Sequence, residues 1–192
     1  NLIMKNNVII LGSTGSIGVN TLEVLSIHKE LFEVFALVAN SSVGSLLEQC
    51  KKFKPKYAYI NKEEDAKFLT TSMKKFKIKT EILFGKDTLN KLVSLEEVDT
   101  VVCAISGSAG LESSLNAVQS GKKILLANKE SLVMCGSLFM DLAEKYSSVI
   151  LPVDSEHNAL HQCFAANTTK SIEKIILTAS GGPFLESNIS KL

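Results

Sequence analysis

Asp154 and Glu156 stand one residue apart in "LPVDSEHNAL", directly after an apolar run that reads as a strand. Carboxylates so placed suit three kinds of chemistry: ligation of a hard divalent cation, an acid/base pair, or polar capping of the next helix. Capping by Asp154 or Ser155 is compatible with the other two, because a cap residue can also be a ligand. His157 and His161 follow one helical turn apart and raise the question of zinc. The absence of an HExxH arrangement argues against it, and His161 reads as structural.

A second chemical segment is "KKILLANKESLV", where a strand ending at Ala127 leads into Asn128, Lys129 and Glu130. In open α/β sheets the carboxyl ends of the strands are the ligand edge, so Lys129 is a cation at the mouth of a cleft, able to contact a substrate hydroxyl or carbonyl. The alternative reading makes Asn128 a helix cap and Glu130 and Ser131 the first turn. The residue types alone support both equally.

The third segment, "VIILGSTGSIG", places Gly12, Gly15 and Gly18 between a strand and a helix. This GxxGxxG is a variant of the dinucleotide fingerprint: one glycine for the tight turn, one for close approach of backbone to a pyrophosphate, one for helix packing on the sheet. Thr14, Gly15, Ser16 and Ile17 then face an anion from the helix N-terminus. The second strand runs into Asn40, Ser41 and Ser42 with no acid to bond a ribose 2′-OH, which favours NADP over NAD.

The elements that must hold these segments alternate. Strands are expected at Val8–Leu11, Val34–Val38, Ala58–Ile60, Ile82–Phe84, Thr100–Ala104, Lys123–Leu126 and Val149–Leu151. Helices are expected at Ser16–His28, Val43–Phe53, Glu63–Phe76, Thr88–Val93, Gly110–Gly121 and Ser131–Tyr146. The first helix is expected to gather Ile17, Leu22, Val24, Leu25 and Ile27 on one face, and the sixth Leu132, Val133, Leu138, Phe139 and Leu142. Such alternation predicts an α/β fold, a doubly wound, mostly parallel, Rossmann-like sheet. After Asp154 the pattern changes: "SEHNALHQCF" reads as helix, "IEKIILTAS" as a long strand and "GGPF" as a breaker. Residues 1–153 are therefore expected to form a nucleotide-binding domain, and residues 154–192 the truncated beginning of an α+β second domain.

With 21 basic and 20 acidic residues in 192, and lysine clusters broken by apolar positions, no basic stripe points to nucleic acid. Apolar runs are strand-length, short of the roughly 20 residues that cross a bilayer, so no membrane partner is expected and the chain reads as soluble. Four cysteines without a CxxC spacing predict a reducing compartment. Neither a secretory h-region nor an Arg/Ser-rich leader precedes Met4.

Taken in order, "GSTGSIG", "LANKESLV", "PVDSEHNA" and "SGGPF" resemble the 1-deoxy-D-xylulose 5-phosphate reductoisomerase family, over about the first half of its usual length. The resemblance implies an NADPH domain followed by the opening of a catalytic, dimer-forming domain. It implies that Thr14, Gly15, Ser16 and Ile17 hold the cofactor phosphates, that Asn128 and Glu130 contact NADPH, and that Lys129 binds substrate. It further implies that Asp154 and Glu156 ligate Mg²⁺ or Mn²⁺, that Ser155 and Glu156 touch the substrate, a small phosphorylated sugar, and that Ser180 binds its phosphate end. Lys129, Glu156 and His157 are the expected catalytic residues, with His157 lining the site. The chain departs from the family at Asn40-Ser41-Ser42, where members often carry a Gly-Lys-Asn-like stretch.

The implied reaction is the NADPH- and metal-dependent rearrangement and reduction of 1-deoxy-D-xylulose 5-phosphate to 2-C-methyl-D-erythritol 4-phosphate in isoprenoid biosynthesis. The setting would be bacterial cytoplasm or plastid stroma, and the assembly a homodimer. Two alternatives stand beside it: a truncated nucleotide-binding module without turnover, or another Rossmann reductase. A semialdehyde reductase would need an activated cysteine, and nothing in the sequence around Cys103 or Cys135 marks one.

Overall fold

A computed structural model describes residues 4–165 and 172–176. Seven strands, β1 (Asn6–Leu11), β2 (Phe32–Ala39), β3 (Tyr57–Ile60), β4 (Glu81–Leu83), β5 (Thr100–Cys103), β6 (Lys123–Leu126) and β7 (Val149–Pro152), form one sheet in the order β4-β3-β2-β1-β5-β6-β7. All six pairings are parallel. Each strand is followed by a helix: α1 (Ser16–Ile27), α2 (Val43–Phe53), α3 (Glu63–Lys75), α4 (Lys86–Val93), α5 (Leu111–Gln119), α6 (Lys129–Tyr146) and α7 (Ser155–Ala165). A 3₁₀ turn over Gly107–Gly110 leads into α5.

The central strands are mainly apolar because both faces of the sheet are covered. Alternate residues of β1 part company: Val8 and Ile10 join a core with Leu22, Leu46 and Leu69 of α1, α2 and α3. Ile9 and Leu11 join a second core with Leu92, Val118 and Phe139 of α4, α5 and α6. From β1 the chain winds outward to β4 under the first set of helices, then returns to β5 and winds the other way under the second. The reversal of direction lies between β1 and β5, the place where open α/β sheets part their loops to admit a ligand.

Two helices bury only part of the face that the sequence led us to expect, Leu22 and Leu25 in α1 and Leu132, Phe139 and Leu142 in α6. In α1 the buried positions are Gly18, Leu22 and Leu25, whereas Val24 and Ile27 are exposed. At 100° per residue, Leu22 and Leu25 lie on one side and Val24 and Ile27 on the other, so a helix this rich in apolar residues offers two stripes and the sheet takes one. In α6, Phe139 and Ala143 are buried while Val133 and Leu138 are exposed, and the helix kinks at Cys135 (φ −142°, ψ 30°). The fifth expected helix is divided, with Gly110 closing the 3₁₀ turn and α5 ending at Gln119 before Gly121 at φ +70°.

The long strand expected over "IEKIILTAS" is not formed across residues 172–176, which carry no regular secondary structure. Strand-like residues become a strand only beside a partner, and among the described residues that stretch has none. Ser180 and "SGGPF" lie outside the described residues. The chain divides into two compact units, Asn1–Asn158 and Ala159–Leu192. The sheet, its helices through α6 and the first turn of α7 belong to the first.

Candidate functional site

The three glycines of the first turn each do a different physical job. Gly12 has φ +83°, and a Cβ there would stand 2.6 Å from the carbonyl oxygen of Ala104 in the loop after β5. At Gly18 a Cβ would meet the Ser13 Cα at 2.6 Å, so only glycine lets α1 lie this close to the turn. Gly15 meets only the Gly12 oxygen, at 3.5 Å, and is exposed. Its open side is where a ligand backbone can approach. Gly15 N–H itself donates to Gly12 O at 3.1 Å, so the free amides are those of Ser16 and Ile17 rather than of all three residues. The first-turn N–H groups of a helix have no acceptor within it. No side chain caps α1 and no acid sits in its first turn. That end is therefore electrostatically open to an anion.

Above this turn lies a cleft of about 480 Å³. Gly12, Thr14 and Gly15 form its floor, Ala104, Ile105 and Ser106 after β5 form one wall, and Asn40, Tyr59 and Asn61 after β2 and β3 form the other. The walls are mainly apolar, with few polar groups, as expected of a cofactor cleft. Of the expected nucleotide residues, Thr14, Gly15 and Asn40 line it, and Ser16 and Ile17 open α1 beside it. Ser41 and Ser42 do not line it; both are exposed, and Ser42 is the N-cap of α2.

Asn128 is the N-cap of α6. It is 2% exposed. Its Oδ1 accepts from Ser131 N–H at 3.0 Å, and its Nδ2 donates to the carbonyls of Ile105 at 2.5 Å and Gly107 at 2.9 Å. The side chain caps α6 and ties that helix to the cleft wall, so it positions the cleft rather than facing into it. Glu130, in the first turn of α6, is exposed.

The acid cluster follows from strand register. Leu126 pairs with Pro152 across β6 and β7, and Val153 N–H donates to Leu126 O at 2.9 Å. The two chains therefore leave the sheet side by side, and Lys129 meets Asp154. Lys129 Nζ is 3.1 Å from Asp154 Oδ2 and 3.9 Å from Glu156 Oε2. Asp154 Oδ1 lies 3.1 Å from His157 Nδ1 and accepts from His157 N–H at 3.4 Å, which also caps α7. Ser155 Oγ donates to Glu156 Oε2 at 2.9 Å. Lys129, Asp154, Ser155, Glu156 and His157 are thus brought together.

Burial, with 11% of its side chain exposed, pushes the Asp154 pKa up. The hydrogen bonds from Lys129 and the His157 amide, with the Lys129 charge, outweigh that and hold it below the ordinary carboxylate range. Asp154 in turn raises the Lys129 pKa, so both groups are charged at neutral pH. The two carboxylates converge on one positive centre and offer hard oxygen donors, which fits Mg²⁺ or Mn²⁺. Among the described residues no group of three His, Cys, Asp or Glu completes a metal site.

The cysteines do not supply a nucleophile at the cleft. Cys103, at the end of β5, is 1% exposed, and burial pushes its thiol up to about 12. Sequence reasoning missed Lys86, the one charged side chain among the described residues lining the cleft. It follows Gly85 after β4, and the only signal for it is that every βα turn of a parallel sheet emerges at the same edge.

A parallel doubly wound sheet with a glycine turn and a cleft at its point of reversal defines a Rossmann-type dinucleotide-binding protein. The acid and lysine cluster lies at the same edge. Residues 8–136 match the model of the 1-deoxy-D-xylulose 5-phosphate reductoisomerase family, and residues 150–192 match that of the family's C-terminal domain. The chain belongs to the 1-deoxy-D-xylulose 5-phosphate reductoisomerase family.

It is 48% identical over 187 residues to the reductoisomerase of Saccharophagus degradans, an alignment covering 95% of this chain and 48% of that protein. The structure superposes with a TM-score of 0.88 on the Zymomonas mobilis reductoisomerase in complex with NADPH, at 37% identity, covering 98% of this chain and 49% of that one. A crystal structure of DOX-P reductoisomerase with NADPH, fosmidomycin and magnesium gives 0.86 at 42% identity, covering 97% and 48%. The chain spans about half the length of the curated relatives it matches.

Proposed function

We propose that this chain contributes the cofactor-binding half, and the first metal ligands, of an enzyme that converts 1-deoxy-D-xylulose 5-phosphate to 2-C-methyl-D-erythritol 4-phosphate with NADPH and Mg²⁺ or Mn²⁺. The observation that carries this reading is that Lys129, Asp154 and Glu156 converge at the sheet edge that also bears the glycine cleft. Family membership and the cofactors of the related structures support it. On this reading residues 1–153 are the NADPH domain, residues 154–192 open the catalytic and dimerisation domain, and the assembly is a homodimer. The setting is bacterial cytoplasm or plastid stroma. The curated relatives are bacterial, and among the described residues no helix is long and apolar enough to cross a membrane.

The amides of Ser16 and Ile17, with the Thr14 hydroxyl, hold the cofactor pyrophosphate, and Asn40 holds the ribose beside it. Asp154 and Glu156 hold the divalent ion, with remaining donors from substrate, water or other parts of the protein. When bound, the ion supplies Lewis acidity to the substrate's ketone and neighbouring hydroxyl, and NADPH supplies hydride. Lys129 lies within reach of both carboxylates and would bind a substrate hydroxyl or carbonyl beside them. Ser155 and Glu156 touch the substrate, His157 lines the site and fixes Asp154 through its second oxygen, Glu130 contacts NADPH, and Ser180 binds the substrate's phosphate end. The cleft's apolar walls exclude water from the reacting carbons.

NADPH oxidation by the whole protein, with 1-deoxy-D-xylulose 5-phosphate and Mg²⁺, tests the reading. Oxidation that depends on both and is lost in Asp154→Asn supports it; substrate-independent oxidation speaks for another reductase. The two-carboxylate half-site favours a second reading for these 192 residues alone, as a nucleotide-binding module. They should bind NADPH and turn over little substrate, and ready turnover by them would contradict the half-site.

A further inference from the structure

We infer that Lys86 is the residue that selects a 2′-phosphorylated adenosine, and hence NADPH over NADH, in this cleft. The inference rests on the cofactor reading above and names the group that recognises the phosphate. The ribose 2′ position of a bound dinucleotide falls near the end of the second strand of the fold. There β2 runs into Asn40 with no acid to bond a free 2′-OH and no cation to hold a phosphate, while Ser41 and Ser42, which lead into α2, do not line the cleft.

The order β4-β3-β2 brings the turns after β3 and β4 to the same place. Asn61 N–H bonds Asn40 O at 3.3 Å, which joins the first two turns. Lys86 and Leu89 come from the start of α4, and Tyr59 and Leu89 add apolar surface for the adenosine. Lys86 is the one charged group among the described residues that line the cleft.

The Lys86 ammonium is not locked in place. Its Nζ lies 2.5 Å from Glu112 Oε2, and the two side chains are 74% and 49% exposed. Asn90 Nδ2 also donates to Glu112 Oε1 at 2.7 Å, so Glu112 keeps a partner if Lys86 leaves. An exposed pair of this kind contributes little to stability and is readily exchanged. A phosphate offers nearly two negative charges and three acceptor oxygens, so the exchange favours the ligand. Glu112 thus holds the lysine extended at the cleft mouth until the phosphate arrives.

The test compares binding of adenosine 2′,5′-bisphosphate and adenosine 5′-monophosphate to the whole protein by calorimetry, for wild type, Lys86→Gln and Lys86→Arg. The expected result is that Lys86→Gln weakens the bisphosphate roughly ten-fold, as befits loss of a charge-assisted bond, and leaves the monophosphate within about two-fold. Lys86→Arg should retain most of the difference. Equal weakening of both nucleotides by Lys86→Gln, or an unchanged preference, would overturn the assignment. So would a wild type that binds both alike. A wild type that binds neither nucleotide would overturn the cofactor reading itself, and this inference with it. NADPH against NADH titrations on the same variants give the same ratio for the intact cofactor.

Discussion

Asn128 Nδ2 donates to the carbonyl of Ile105 at 2.5 Å, so the residue that caps α6 also holds the wall of the cofactor cleft. One buried amide thereby couples the helix that begins at Lys129 to the loop that faces the dinucleotide. The Asn128→Ala variant removes a cap and strands two carbonyls. It should lose about 2 kcal/mol of stability, since a cap is worth ~1 kcal/mol and an unpaired buried acceptor at least as much. Urea unfolding measures the loss, and cofactor affinity should fall with it although the side chain faces away from the cleft.

Gly15 and Gly18 should separate binding from folding. Gly18→Ala drives a Cβ against the Ser13 backbone and should destabilise the chain by about 1–3 kcal/mol. Gly15→Ala meets only one oxygen at an ordinary distance and should melt near the wild-type temperature. Thermal melts with and without NADPH distinguish them, because Gly15→Ala should lose most of the cofactor-induced rise.

The Asp154 carboxyl is held below its ordinary range in the folded protein, so its contribution is complete above the pKa of an unfolded aspartate, about 4. That contribution disappears as pH falls through the lowered value. Lys129 has a raised pKa, so its share is present below the ordinary lysine range and lost only as pH rises through the raised value. The pair should therefore be charged from pH 5 to 8, within which a Lys129→Met variant keeps the same stability difference from wild type. A difference that varied steeply within that window would contradict the assignment.

Metal removal should abolish turnover and spare cofactor binding. In the whole protein, chelation followed by Mg²⁺ or Mn²⁺ restoration should recover activity, and Asp154→Asn or Glu156→Gln should reduce kcat on the order of a hundred-fold, the scale of lost Lewis-acid stabilisation. NADPH binding, monitored by fluorescence, should be unchanged in both variants because the cleft residues are untouched.

Thiol labelling should follow burial. Cys50 and Cys103, buried and with thiols pushed up to about 12, should resist a thiolate-seeking reagent at pH 8 until the protein unfolds. Exposed Cys163 should react first. Early modification of Cys103 would show that the β5 edge opens in the native state.

Much of this was open to reading from the chain because its causes are local. The runs Val8–Leu11 and Val101–Cys103 are apolar at every position since both faces of their strands are covered, and Gly12, Gly15 and Gly18 mark a turn whose sterics involve only its neighbours and one adjoining loop. The buried stripe of α1 was not legible in the same way. Leu22 with Leu25, and Val24 with Ile27, form two stripes of equal apolarity, and only contact with the sheet selects one. Residues 172–176 are strand-like in composition, but a strand exists only through a partner.

By itself the sequence determined the parallel α/β class, the glycine turn and the two carboxylates one residue apart after a strand. Tertiary structure decided which of those groups face a ligand. Register between β6 and β7 brings Lys129 to Asp154, burial makes Asn128 a clamp between α6 and the cleft wall, and the order β4-β3-β2 brings Lys86 to the same cleft as Asn40. The physical reason is that backbone sterics and periodicity act over a few residues, whereas strand order joins turns 46 positions apart, from Asn40 to Lys86, that no local pattern relates.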